Sequence, residues 1–260
     1  MENARYQQLF SLRDKIVLVA GGAGGIGAEL VAACAAFGAR VVVAELTAER
    51  ADEGAAKIGA ADQVIGVALN ITKPETLQPA LELVEKRFGI VDVLINAAGT
   101  HIEQAAEEVT LEAWDTVLNV NLRGAFLISQ AVARPLIAQK KGGSMIHVTS
   151  VRSELGIRRG YAAYCASKGG LGILIKQLAT EWAKYGIRVN GIAPTFTRTP
   201  LVIDYLNDPV FYANLVDRIP LGRVCETFDL AGTAVFFASE ASSFITGQNL
   251  FVDGGVTATQ

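Results

Sequence analysis

Within the stretch Gly160–Gly172, "GYAAYCASKGGLG", Tyr164 is followed four residues later by Lys168. A phenol titrates at about 10 and is a poor base at neutral pH. On a helix, positions i and i+4 share a face, so the spacing sets an ammonium beside the phenol. Bringing the phenol to about 7 takes roughly 4 kcal/mol. A unit charge about 4 Å away supplies about that much at an effective dielectric near 20. Tyr164 also stands near the start of a helical pattern, where the macrodipole favours an anion. The pair can therefore act as an acid/base, provided it is partly desolvated. The competing reading is an amphipathic helix with a packed tyrosine and a snorkelling lysine.

A second candidate is the glycine run "AGGAGGIG", Ala20–Gly27, which closes a β-branched run and opens a helical one. Such turns bring backbone N–H groups and a helix start to a pyrophosphate. Two registers fit: Gly22, Gly24 and Gly27 as GxGxxG, or Gly21, Gly25 and Gly27 as GxxxGxG. Glu45 ends the next strand-like run. A carboxylate there can accept both ribose hydroxyls of an adenosine and repels a 2′-phosphate. No Arg or Lys lies in Ala20–Gly27 or directly follows Glu45. NAD rather than NADP is the expected cofactor. A tight βα turn and a solvated strand-end glutamate are the alternatives.

These groups must be held by alternating elements. Strands are expected at Lys15–Ala20, Arg40–Glu45, Gln63–Leu69, Val91–Asn96, Ser144–Ser150, Ile187–Ala193 and Asn249–Asp253. Helices are expected at Gly25–Phe37, Thr47–Ile58, Pro74–Phe88, Leu111–Ile137, Ala162–Tyr185 and Phe228–Ala238. Several strands are apolar at consecutive positions, as when helices cover both faces of a parallel sheet. The expectation is an α/β fold: one Rossmann-like, doubly wound domain over residues 1–260 with a seven-stranded parallel sheet. A closed barrel is the alternative. Residues 195–220 break the rhythm after a strand end and read as a substrate lid. The chain has 260 residues, 51% hydrophobic and 19% charged, with net charge −3 and no basic tract. Neither nucleic acid nor a membrane is an expected partner. No run is apolar enough for a signal peptide or a span. The three cysteines match neither a disulfide framework nor a zinc site. We therefore expect a cytoplasmic protein without a metal.

From about Ser11 to Gly255 the chain resembles a short-chain dehydrogenase/reductase. The likeness is carried by "AGGAGGIG", "INAAG" (95–99), "NVNLRGAF" (119–126), "IHVTS" (146–150), "YCASK", "RVNGIAPTFTRTP" (188–200) and "FITGQNLFVDGG" (244–255). The resemblance implies hydride transfer to or from nicotinamide and a homotetramer. By motif, Tyr164 would be the acid/base. Lys168 would lower its pKa and hold the nicotinamide ribose, and Ser150 would polarise the reacting oxygen. Asn121 would keep a water for proton relay. Cofactor contacts are implied at Gly21, Gly24, Gly25, Ile26, Gly27, Glu45, Asn70, Ile71, Asn96, Ala98, Tyr164, Lys168, Pro194, Thr197 and Thr199. There are departures. Ala20 replaces the usual threonine, "NAAG" replaces "NNAG", and Asn70 replaces an aspartate that reads adenine. Ser150 precedes Tyr164 by fourteen residues where thirteen is usual, which makes Ser153 a competing candidate.

"VRSEL" (151–155) resembles the segment found in gluconate and related sugar dehydrogenases of the family. His101, Arg152, Ser153, Glu154 and Arg158 are the polar candidates near the reacting carbon, where buried polar groups need partners. The arginines could also pair with a carboxylate or sulfonate, and each of these residues could instead be a solvated loop group. Glu103 occupies a position where related sugar-acid enzymes carry arginine. The expected activity is NAD-dependent oxidation of a secondary hydroxyl on a sugar, sugar acid or polyol. The alternatives are a 3-oxoacyl thioester reductase and a non-catalytic NAD-binding sensor.

Overall fold

The computed structural model describes residues 2–59 and 61–259. Seven strands form one parallel sheet: β1 (Ile16–Ala20), β2 (Arg40–Glu45), β3 (Val64–Ala68), β4 (Val93–Asn96), β5 (Gly143–Val148), β6 (Ile187–Pro194) and β7 (Asn249–Val252). Their order is β3-β2-β1-β4-β5-β6-β7. The order in which strands are added reverses between β1 and β4, where Val17 pairs with Val41 on one side and Val93 on the other. Such a switch point opens a crevice at the carboxyl ends of the strands.

The helices are α1 (Glu2–Gln8), α2 (Gly25–Ala36), α3 (Ala48–Ala56), α4 (Pro74–Arg87), α5 (Leu111–Leu118), α6 (Ala125–Ala138), α7 (Ala162–Trp182), α8 (Ile203–Leu206), α9 (Pro209–Val216) and α10 (Phe228–Ala238). Alternate strand residues face opposite layers. Leu18, Val42, Leu94 and Met145 join α4, α6 and α7 in one core. Val17, Val19, Ile95 and Ile146 join α2 and α10 in the other. This two-sided burial explains why the strands read as continuous apolar runs.

The expected helix Leu111–Ile137 is interrupted by a π-helical segment, Asn119–Gly124. Asn121 ties that turn to Thr100, and Gly124 packs where a Cβ would come within 2.8 Å of Ile71. The expected Ala162–Tyr185 helix tightens to 3₁₀ at Ala183 and stops at Gly186, whose φ is +71°. Strand β5 ends at Val148, so Ser150 begins a 3₁₀ turn rather than closing the strand. Residues 195–220 carry α8 and α9, and Asp208 caps α9 through the N–H groups of Val210 and Phe211. Among the described residues, no helix is long and apolar enough to cross a membrane. Cys34, Cys165 and Cys225 are free.

Candidate active site

At the end of β1 the chain turns through Gly21 in the left-handed region, φ +75°. A Cβ on Gly21 would sit 2.9 Å from the Ala98 nitrogen, and one on Gly27 would land on the Gly21 carbonyl. A Cβ on Gly25 would lie 2.8 Å from the Thr199 methyl, whereas one on Gly24 meets nothing nearer than 3.4 Å. Gly22 is tight as well, its Cβ falling 2.8 Å from the Val19 carbonyl, so Gly24 is the one roomy position of the run, and its freedom favours the GxxxGxG register over GxGxxG. Helix α2 starts here without a side-chain cap, so its first N–H groups face the turn.

Glu45 is buried at the end of β2. Its Oε1 accepts from the Ala23 N–H at 3.1 Å, and Oε2 lies 3.5 Å from Arg50 Nε. Arg50 was not foreseen: it follows Glu45 by five residues, and the first turn of α3 folds it back. Asn70 differs from expectation in which group it offers. Its Oδ1 already accepts from the Thr72 N–H at 2.9 Å and from Thr72 Oγ1 at 2.8 Å. The amide N–H₂ therefore replaces the oxygen as its available group. Ile71 is buried against the π-helical turn.

A cavity of about 310 Å³ opens beyond the carboxyl ends of β4, β5 and β6. It brings together Ile26, Ser150, Tyr164, Lys168, Pro194, Thr197 and Thr199, with His101 and Arg152 on its wall. Ser150 Oγ accepts the Arg152 N–H at 3.1 Å, which leaves its own proton to be donated. Ser153 instead gives its hydroxyl to the Ser150 carbonyl at 2.7 Å and receives Asn249 Nδ2 at 3.1 Å. Of the two serines, Ser150 lines the cavity and Ser153 braces the turn behind it.

Lys168 is buried, donates to the Val148 carbonyl at 2.8 Å, and lies 5.6 Å from the centre of the Tyr164 ring. Burial lowers its pKa to about 8. Burial also pushes Tyr164 up to about 12, and the hydrogen bond with Ser150 only partly opposes it. The expected drop toward neutrality is therefore not met in the chain by itself, because desolvation of the phenolate outweighs its neighbours. Asn121 makes three hydrogen bonds. Oδ1 accepts from the Thr100 N–H at 2.8 Å, while Nδ2 donates to the Thr100 carbonyl at 2.9 Å and to Ser167 Oγ at 3.0 Å. Its side chain is a clamp, with both N–H donors spent and one Oδ1 lone pair left over.

Behind the cluster, Asn96 Nδ2 approaches His147 Nδ1 at 3.5 Å, and His147 Nε2 meets Ser129 Oγ at 3.1 Å. Ser129 gives its proton to the Ala125 carbonyl at 2.7 Å, so His147 carries its proton on Nε2. Burial, then the charge of Lys168, lowers His147 to about 4.

On the substrate side, Glu154 and Arg158 are exposed and lie outside the cavity lining, because the loop carries them to solvent. Arg159 takes the structural part instead. It forms a two-pronged pair with Glu103 at 2.9 and 3.0 Å and stacks 4.7 Å from the centre of the Tyr205 ring. Its signal was available as the second arginine of "RR", but the partner comes from another loop. A larger recess of about 700 Å³ lies at the opposite edge of the sheet, beside Val93, Gly143 and Ile187 at the strand starts. Lys141 pairs there with Asp92 at 2.8 Å and Lys15 with Glu240 at 3.1 Å, and the recess is remote from the cluster. Among the described residues no cluster of His, Cys, Asp or Glu could hold a metal.

A doubly wound sheet with a glycine cradle and a serine–tyrosine–lysine cluster at one switch point defines an oxidoreductase acting on a CH–OH group. Residues 21–257 match the short-chain dehydrogenase model described as enoyl-(acyl carrier protein) reductase. The 5-keto-D-gluconate 5-reductase of Escherichia coli K12 is 38% identical over 249 residues, covering 95% of this chain and 97% of the relative. The D-threitol dehydrogenase of Mycolicibacterium smegmatis is 38% identical over 249 residues, covering 95% of both chains. A gluconate 5-dehydrogenase from Burkholderia cenocepacia, solved with NADP and tartrate, superposes with a TM-score of 0.93 at 34% identity, covering 98% of this chain and 100% of that one. The chain belongs to the short-chain dehydrogenase/reductase family.

Proposed function

We propose that the protein interconverts a secondary hydroxyl and a carbonyl on a sugar, sugar acid or polyol, with NAD as cofactor and Tyr164 as the acid/base. The observation that carries this reading is the cavity itself. Ser150, one of whose lone pairs is taken by the Arg152 N–H, shares one cavity with Tyr164 and Lys168. The relatives at full length act on sugar acids and polyols by name.

A nicotinamide dinucleotide fits the residues present. The turn has no room for side chains at Gly21 and Gly27, and the start of α2 is uncapped. Bound there, it supplies the hydride acceptor or donor. Glu45 would receive ribose hydroxyls and disfavour a 2′-phosphate, which supports NAD. The NADP in the Burkholderia enzyme makes this the point to measure, and Arg50 is the cation within reach. Asn70 would donate to adenine beside Ile71, and Asn96 and Ala98 would border the nucleoside. Pro194, Thr197 and Thr199 would hold the carboxamide end.

Ser150 donates its proton to the reacting oxygen, as a preorganised donor should. Tyr164 takes the hydroxyl proton once it is itself ionised. Lys168 spends one N–H on Val148 and keeps the remaining donors for the ribose and the phenolate. Asn121 fixes the π-helical turn, whose main-chain carbonyls would hold the relay water. Residues 195–220 would close over the substrate. The working form we propose is a cytoplasmic homotetramer paired through its long helices, where Leu111, Phe126 and Ile173 stand exposed. Sedimentation tests the assembly.

The family model's description favours one rival, a reductase of acyl thioesters. One assay separates the two. Reduced dinucleotide is followed with NAD and with NADP across sugars, aldonates and polyols, and its oxidation is followed with acetoacetyl thioesters. Turnover of carbohydrates with NAD preferred is the expected result. Turnover of thioesters alone sinks the proposal.

A further inference from the structure

The charges around the cavity do not balance once its contacts are followed residue by residue. Glu103 reaches the lining but is already neutralised by both prongs of Arg159. His101 stacks on Tyr161 at 3.9 Å between ring centres and meets Tyr164 edge-on at 5.2 Å. Both of its ring nitrogens are buried without a hydrogen-bond partner. Burial lowers its pKa, so at cellular pH it is a neutral group that can serve a hydroxyl and adds no charge.

Arg152 is different. It lines the same cavity, and its guanidinium donates from Nη1 to the carbonyls of Leu155 and Gly156, at 3.3 and 2.6 Å. Among the described residues no carboxylate pairs with it. A partly buried guanidinium on the wall of a pocket, anchored at one nitrogen and lacking a counter-ion, matches a ligand carboxylate. The cavity offers one such cation beside the buried Lys168, which suits a singly charged group better than a phosphate dianion.

Building on the sugar, sugar-acid or polyol reading above, we infer that the substrate is a sugar acid: its carboxylate is received by Arg152 and a hydroxyl by His101, while Ser150 and Tyr164 hold the reacting carbon. Glu103 does not repel the anion because Arg159 screens it. Arg152 is then the residue that separates aldonates from neutral polyols of the same length.

The test weighs binding apart from turnover. In the Tyr164→Phe protein saturated with NAD, the affinities of D-gluconate and D-glucitol are measured by calorimetry. The expected result is a preference for D-gluconate of about 30-fold or more, weakening as salt is raised. Arg152→Met removes that preference and Arg152→Lys keeps part of it. Because Arg152 also braces the loop, the ratio of the two affinities is the readout, since a loop defect lowers both together. Equal affinities in the parent, or a preference that survives Arg152→Met, overturn the carboxylate assignment alone. If neither compound binds while another class of hydroxyl compound is turned over, the carbohydrate reading falls and takes this inference with it.

Discussion

The two halves of the cleft are built by different means. The dinucleotide half is made of backbone: a left-handed Gly21, the bare start of α2, and Glu45 held by a main-chain N–H. The substrate half is made of side chains from three separate loops. Glu103 follows β4, Arg159 follows β5, and Tyr205 and Phe211 belong to the segment after β6. A backbone cradle is rigid and tolerates little. A side-chain tie can be loosened in steps, which suits a region that must admit one substrate and reject another. Between them sits the Tyr164 cluster, which both halves must serve.

The largest expected effect is at that junction. Tyr164→Phe removes the transferable proton and keeps the ring against His101 and Lys168. Turnover should fall about 10³-fold, while dinucleotide binding, followed by fluorescence titration, changes little. A variant that still turns over at the parent rate would make Tyr164 a packing residue. Because burial holds the phenol at about 12, kcat/KM for oxidation should rise with pH through the neutral range, since the ionised form is the one that accepts a proton. A flat profile from pH 6 to 9 would mean another base.

Next in size is the acid sensitivity of the network behind the cluster. His147 is neutral and donates to Ser129, with its pKa depressed from 6.5 to about 4. Between those values the unfolded chain binds more protons than the folded one, so stability is complete above about 6.5 and is lost as pH falls toward 4. The full depression corresponds to roughly 3 kcal/mol. In His147→Asn the part of the urea-midpoint slope belonging to this window should disappear. If the slope persists, the protons enter elsewhere.

The glycine turn comes third. Gly27→Ala drives a methyl into the Gly21 carbonyl, a backbone group that cannot swing aside, and should cost about 2 kcal/mol of stability together with most dinucleotide affinity. Gly24→Ala meets nothing closer than 3.4 Å and should keep both within about threefold. Equal losses in the two variants would return the turn to the GxGxxG register.

How much of this was legible in the chain follows the same division. The seven-stranded parallel sheet and the positions of its strands, to within a few residues, depend on local apolar runs, and these read correctly. Two site details depend on where a strand stops. Ser150 stands past the end of β5, yet its own cap to Arg152 aims it. Asn70 looks like an acceptor in the sequence but spends its oxygen on Thr72, a bond visible only once the turn is folded. The choice of Arg158 over Arg159 could not be corrected from spacing, because Glu103 lies 56 residues away. The π-helical turn has no sequence period of its own; it exists because Asn121 clamps Thr100. By contrast, Asp208 followed by Pro209 is a helix start that could have been read, and α9 was missed only because the segment was treated as one loop.

The smallest expected effect probes how residues 195–220, the proposed lid, are tied. The Tyr205 side chain makes three contacts: a hydroxyl 3.4 Å from Glu103 Oε2, a ring 4.7 Å beneath the Arg159 guanidinium, and a tilted ring contact with Phe211 at 5.8 Å. The hydrogen bond is long and exposed, and Glu103 already has both oxygens on Arg159, so it adds little. The stacking contact is worth about 0.5–1 kcal/mol at an exposed site. Tyr205→Phe keeps the ring and should leave KM within about twofold, whereas Tyr205→Ala loses it and should raise KM about three- to fivefold, in line with that range. Because the tie acts on substrate closure and not on the glycine cradle, the dinucleotide Kd should move in neither variant. Protease cleavage within residues 195–220 should quicken in Tyr205→Ala alone. Equal effects of the two variants would make the hydroxyl, and with it Glu103, the true fastening. A shift in dinucleotide affinity would mean that the two halves are mechanically one, since Thr199 and Pro200 already pack against Gly25.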